Sequence, residues 1–368
     1  MEDRDQLKSR IKRRLAEYAG IDGVSGHEHS VVARLAEDFR PHVDAVEIDA
    51  YGNIIATKQG PARVPRLMIA AHSDEIGGVV KSIEATGMIR FERLGGVNET
   101  LLVGRAVRIN GHRGVIGAKS GHLMTVDERR SVPRLQDLYV DMGFDRAEEI
   151  MDLGIKVGDA IAYEAPMREL ANPERLSGKA LDNRISCVIL LELAERLSTV
   201  NLDCTVHWAV MVQEEVGFRG AQMVTYRLNP NAAIVVDTMP AGGTPDVSAT
   251  KDLAAEIGKG PVVTLGSDSG THGIIVPLAM RELLVSSAER ANVPYQPSLF
   301  YGSNSDAAAV HLVREGIPTG VVNIARRYSH SPVETLDIND CVNATLLLEE
   351  AVKTFGPKTD LSFLRTAE

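Results

Sequence analysis

Cysteine is scarce in this chain. Three residues, Cys187, Cys204 and Cys341, lie far apart and are odd in number, so no disulfide framework is implied. Aromatic residues make up only 4%, and the core must be built from Val, Ile, Leu, Ala and Met instead. Long apolar runs are missing: stretches such as VIGA and AVMV fall far short of the roughly 20 residues that span a bilayer. The opening residues lack the apolar h-region of a secretory signal, so a cytoplasmic address is the expectation by elimination. An excess of positive charge is absent too, with 40 Lys and Arg against 50 Asp and Glu and a formal charge of -10. Without surplus cations to displace counterions from phosphates, nucleic acid is not an expected partner. The basic residues of KSRIKRRLAEYAG alternate with apolar ones at helical spacing, the pattern of a solvated amphipathic helix.

What remains is ordinary globular composition, 44% hydrophobic and 24% charged, over a length that suggests about two domains. Two helices are predicted around residues 5–19 and 29–40, with the Gly- and Ser-rich GIDGVSGHEHS between them. VDAVEID and NIIATK read as a strand pair joined at Ala-Tyr-Gly, and RLMIAAHSDEIGG as a buried central strand ending abruptly in polar residues. From about 76 to 163 the texture changes. Short β-type runs (GGVVKSIE, MIRFERL, RAVRING, RGVIGA, DAIAYEA) alternate with Gly-rich turns, the look of a small β-barrel or sandwich inserted in a larger domain. Within it SGHLMTVDERRSVPRLQD is polar and unpatterned, a long loop. After 164, DNRISCVILLELAERL reads as a helix, CTVHWAVMV as a buried strand, RGAQMVTYRL as a helix and AAIVVD as a strand. IIVPLAMRELLVSSAERA and DAAAVHLVREG are predicted as helices, PTGVVNI as a strand, and a last helix runs from about 339 to 355. This alternation indicates an α/β sheet with helices on both faces.

Five segments carry acidic or imidazole residues near the ends of such elements: AHSDEIG, KALDNR, VQEEVGF, VVDTMP and YSHSP. Ligands of open α/β sheets bind beyond the carboxyl ends of the strands, so these residues can converge. His72 and Asp74 are two apart in an extended run and point the same way, an arrangement in which a carboxylate orients a metal-binding imidazole. Glu214 and Glu215 would repel one another at the end of a buried strand, and either a cation or a shared proton relieves that repulsion. A solvated loop is the bland alternative.

Taken together, AAHSDEIGG, GKALDNR, VQEEVGFRGA, VVDTMPAGGTPD and RRYSHSPVE resemble, in order, the glutamyl and deblocking aminopeptidases, the cocatalytic metallopeptidases also called tetrahedral aminopeptidases. The resemblance covers nearly the whole chain. It implies an α/β catalytic domain with a mixed sheet over residues 1–75 and 164–368, interrupted by a β-barrel oligomerisation domain over 76–163. It also implies two divalent metal ions per subunit, one held by His72, Asp182 and Asp237 and the other by Asp182, Glu215 and His330. Asp74 would orient His72, and Glu214 would act as general acid/base towards a metal-bridging water. Nitrogen and oxygen ligands without thiolate suit Zn, and Co or Mn also. The implied substrates are short peptides, and the implied assembly is a homo-oligomer built from dimers, a dodecamer in its full form.

The sequence departs from the family pattern at Gly302, Ser303, Asn304 and Ser305, on the expected pocket wall, and in the insert's loop near His122. His27-Glu28-His29 could pass for a metal cluster but fits a helix's first turn. His207 and His311 fit a satisfied core or surface, and GSDSG lacks the spacing of a nucleophile elbow. Other readings are a different metal-dependent amidohydrolase (a deacylase or carboxypeptidase) and a non-catalytic assembly protein on the same fold. A glycosidase would leave His72 and His330 unexplained.

Overall fold

The run RLMIAAH forms the strand Arg66–His72, in which every residue after Arg66 is buried. A strand apolar on both faces needs neighbours on both edges and cover above and below. It has them. Thr205–Met211 and Ala232–Pro240 flank it, both parallel, and Thr319–Arg327 continues the parallel order beyond Ala232–Pro240. The hairpin Ala45–Ile48 and Ile54–Lys58 adds antiparallel strands at one edge, while Glu334–Asp337, Arg175–Gly178 and Arg168–Glu169 extend the other. With Val262–Asp268, Gly273–Ile275 and Gln296–Phe300 branching from Thr319–Arg327, the sheet is mixed and twelve-stranded. The computed structural model describes residues 4–270 and 272–364.

Helix Leu181–Leu197 is buried at every position from Leu181 to Ala194, as a helix enclosed on all sides must be. It lies against strand Arg66–His72 on one face, packed with helices Arg4–Gly20, His29–Phe39 and Ile338–Thr354. Helices Arg219–Leu228 and Ala307–Val310 pack on each other against other parts of the same sheet. Two predicted helices come out shorter. Gly273–Ile275 is a strand and the helix begins only at Leu278, because Pro277 bars helical backbone at the residue before it and suits a helix start. DAAAVHLVREG is helical only over Ala307–Val310. The strands Val262–Asp268 and Gln296–Phe300, the second containing Pro297, had no alternating pattern to announce them.

Between Gly77 and Tyr163 the chain leaves the sheet and forms a closed barrel. Strands Gly77–Ile83, Ile89–Leu94, Tyr139–Asp141, His112–Gly117, Ala106–Ile109 and Ala160–Tyr163 follow one another around it. It has its own core, including Val80, Ile89, Phe91, Val107, Ile109 and Val140. The polar stretch predicted as a loop holds only short 3-10 turns, Glu128–Arg130 and Leu135–Asp137.

Candidate metal centre

Four strands run the same way in the centre of the sheet, so their carboxyl ends share one edge, and each of them, or the loop after it, delivers acidic or imidazole residues there. His72 ends strand Arg66–His72 and Asp237 lies in the adjoining strand. Glu214 and Glu215 follow strand Thr205–Met211. Asp182 comes from the opposite side, in the first turn of helix Leu181–Leu197, and His330 from the loop after Thr319–Arg327.

These residues meet. His72 Nε2 is 3.3 Å from Asp182 Oδ1, 3.5 Å from Asp237 Oδ1 and 3.9 Å from Glu214 Oε2. His330 Nε2 is 3.5 Å from both Asp182 Oδ2 and Glu215 Oε1. Asp182 thus offers a different oxygen to each imidazole. Among the described residues two groups have the spacing to hold a metal ion, His72 with Glu214 and Asp237, and Asp182 with Glu215 and His330. Glu214, expected to stand outside the ligands as general acid/base, lies beside His72 and Asp237 in the first of these groups.

Each imidazole is anchored through its other nitrogen. His72 Nδ1 faces Asp74 Oδ1 at 3.3 Å and His330 Nδ1 faces the Gly96 carbonyl at 3.1 Å. Both neighbours only accept, so Nδ1 donates and Nε2 is left for the cluster. Asp74 also accepts the backbone N–H groups of Glu214 (2.9 Å) and Glu215 (3.1 Å) and the Ser25 hydroxyl (2.6 Å). One buried carboxylate fixes the histidine and the diglutamate loop together. Glu28 helps, accepting the Gln213 N–H at 3.1 Å. Glu334 does the same across the site, taking the N–H of Asp182 (2.9 Å) and of His330 (3.1 Å).

The electrostatics are those of a cation site. Burial, reinforced by neighbouring carboxylates, raises the carboxyl groups of Glu214 and Asp237, and pushes Glu215 up to about 8. Burial likewise opposes charge on Asp182, but Arg326, His330 and His72 outweigh it and hold that carboxyl well below the usual range. Buried Asp182 Oδ1 has no hydrogen-bond partner, and neither does either carboxylate oxygen of buried Asp306. Acceptor oxygens stranded in the interior beside imidazole nitrogens are costly unless a cation satisfies them. The donors present fit divalent metal ions.

A cavity of about 410 Å³ opens onto the cluster. Away from the charged groups its walls carry Phe218, Pro240, Phe300, Gly302, Ser303 and Asn304, so the divergent segment does line it. The decoys fall elsewhere. His29 opens helix His29–Phe39, His27 Nε2 meets the Gly158 carbonyl at 3.0 Å, His207 Nδ1 meets Thr57 Oγ1 at 2.9 Å, and His311 Nε2 meets the Gly273 carbonyl at 3.0 Å. His122 is exposed on the barrel loop. GSDSG occupies the end of strand Val262–Asp268 rather than a strand-to-helix elbow. Sequence reasoning missed Gly95, Gly96, Asp306, Arg326 and Glu334. The adjacent glycines of RLGGVNE were the one available signal.

Residues 52–347 match the M42 glutamyl aminopeptidase family. The glutamyl aminopeptidase of Lactococcus lactis is 34% identical over 95% of this chain and 97% of its own. An aminopeptidase from the archaeon Desulfurococcus kamchatkensis superposes with a TM-score of 0.91 at 33% identity, covering 96% of this chain and 97% of that one. The TET1 peptidase of Pyrococcus horikoshii, which can assemble into a tetrahedron or a large octahedral shell, superposes with a TM-score of 0.82 at 29% identity over 94% and 100%. A parallel sheet edge carrying a paired His and carboxylate cluster, an interrupting barrel and this likeness across the chain lead to one assignment: the protein is a metallo-aminopeptidase belonging to the M42 glutamyl aminopeptidase family.

Proposed function

We propose that this enzyme removes N-terminal residues from short peptides with two divalent cations, one held by His72, Asp182 and Asp237 and the other by Asp182, Glu215 and His330. The observation carrying the proposal is the placement of Asp182, whose Oδ1 is 3.3 Å from His72 Nε2 and whose Oδ2 is 3.5 Å from His330 Nε2. A carboxylate with one oxygen towards each of two imidazoles is suited to bridging. When bound, the cations supply a nucleophilic water at neutral pH, a Lewis acid for the peptide carbonyl and an anchor for the free α-amine. Zn suits the donor set, as do Co and Mn.

The chain's own residues do the rest. Glu214 is 7% exposed and reaches the cluster from the loop after strand Thr205–Met211. Burial raises the proton affinity of its carboxylate, which can then take a proton from water and pass it to the leaving amine. Asp74 keeps that loop and the His72 ring in register through its four hydrogen-bond partners. A cavity of about 410 Å³ suits short peptides rather than folded chains. We infer a cytoplasmic homo-oligomer joined through the inserted barrel, up to a dodecamer; the assembling TET1 relative supports that reading.

Dipeptides with a free and with an acetylated amine, offered before and after chelation, test the whole proposal. The expected result is hydrolysis of the free-amine substrate alone, lost on chelation and restored by Zn, Co or Mn. Preference for the acetylated substrate would favour a deacylase, and full activity without metal would end the dimetal reading.

A further inference from the structure

Arg326 is a cation where a metal centre has little need of one. Its side chain is 3% exposed and lines the cavity beside His330 and Asp182. Strand pairing fixes its backbone on both sides, opposite Pro240 and Leu336. The guanidinium makes two hydrogen bonds and one ion pair. Nε donates to Thr238 Oγ1 at 2.6 Å, Nη1 lies 3.1 Å from Glu334 Oε1, and Nη2 donates to Asp182 Oδ2. It cannot swing away without stripping buried Glu334 of its counter-ion, which is costly even though two backbone N–H groups remain on that carboxylate.

The two oxygens of Asp182 are therefore unequal. Oδ1, on the His72 side, has no hydrogen-bond partner, whereas Oδ2, on the His330 side, already carries the Arg326 guanidinium. The surroundings are unequal as well. Asp237 and Glu214 stand with His72, and Glu215 alone completes the group of Asp182 and His330. A fixed positive charge on a shared ligand oxygen repels a dication most strongly at the nearer site, and burial limits the screening.

Resting on the dimetal reading above, we propose that Arg326 is a built-in competitor of the second metal ion, so that the His72 site fills first and the His330 site binds more weakly and exchanges. Arg326 is then a positioning residue that sets the order and affinity of loading through Asp182. It occupies charge space at the second site without taking part in the chemistry.

Zinc titration of metal-free protein by calorimetry tests this. The wild type is expected to show two separate dissociation constants, and His330→Ala should abolish the weaker one while leaving the tighter in place. In Arg326→Met the weaker constant should tighten by about tenfold or more, the scale on which partners behind the ligands tune metal affinity. Because that variant strands Glu334, the pair Arg326→Met with Glu334→Gln removes both charges together and should show the same tightening. A third measurement needs neither variant: the first equivalent of zinc should perturb the His72 imidazole resonance before that of His330. The inference is overturned if neither variant tightens the second constant, if His330→Ala removes the tighter one, or if His330 responds first. Absence of zinc binding altogether would instead overturn the dimetal reading.

Discussion

Single atoms decide the chemistry of this site, and the adjacent glutamates show how. Glu214 and Glu215 share a loop and one anchoring carboxylate, Asp74, yet face different imidazoles. Glu214→Gln should keep both metal ions and lose about two to four orders of magnitude in kcat, since only proton transfer is removed. Glu215→Gln should instead lower the occupancy of the His330 site. Metal content alongside kcat separates the two, and an unchanged kcat in Glu214→Gln would remove it as the base. Gly96 gives a second residue-scale prediction. A Cβ there would stand 2.6 Å from His330 Nδ1, an impossible approach unless the ring moves. Gly96→Ala should therefore weaken the His330 site while the His72 site keeps its ion, as dialysis followed by metal analysis would show. That His72, Asp182, Glu215, Asp237 and His330 meet was legible because each stands in a compact polar signature at an element's end. Arg326 and Asp306 were not. Their importance lies in what distant chain segments place against them, and no local pattern records that.

At the scale of elements, strand Thr205–Met211 carries an untapped pH dependence. His207 is 8% exposed in that strand, and burial, helped by Arg66, drives its pKa from 6.5 down to about 4. The folded state thus holds the neutral ring where the unfolded chain would take a proton. Its contribution is complete above pH 6.5 and is lost as pH falls from there towards 4. Between pH 7 and pH 5 the loss from this group should be about 2 kcal/mol. Urea unfolding of the wild type and of His207→Leu at both pH values checks this: the wild type should lose more stability than the variant, and parallel losses would refute it. The strand itself was readable from its apolar run, as was helix Leu181–Leu197. Gly273–Ile275 was misread because IIV continues smoothly into a helical pattern, and only the geometry of Pro277 divides the two.

Taken whole, the molecule is a sheet-based body whose barrel is more than an appendage. Gly95 and Gly96, which follow barrel strand Ile89–Leu94, press against Glu215 and His330. The barrel therefore meets the sheet domain at Glu215 and His330. The barrel's loop also exposes Leu123 (72%), Val126 (61%) and Val132 (50%). Burying such exposed apolar side chains is what association of subunits would gain. Light scattering should give a particle several times the mass of one chain, and Leu123→Glu combined with Val132→Glu should reduce it. An active particle of one subunit's mass would refute assembly.

Much was decided by the sequence alone: the α/β class, the β-rich interruption, the absence of a disulfide framework, and the residue types able to hold metal. Apolar runs and turn chemistry act over a few residues, so their consequences can be read locally. Tertiary structure alone decided that Asp182 turns one oxygen to each histidine, that Asp74 ties His72 to the diglutamate loop, and that Arg326 engages one of those oxygens. These relations join residues more than a hundred positions apart, or hang on which atom of a side chain faces which neighbour. Packing of the whole chain settles such matters, and no stretch of sequence carries them by itself.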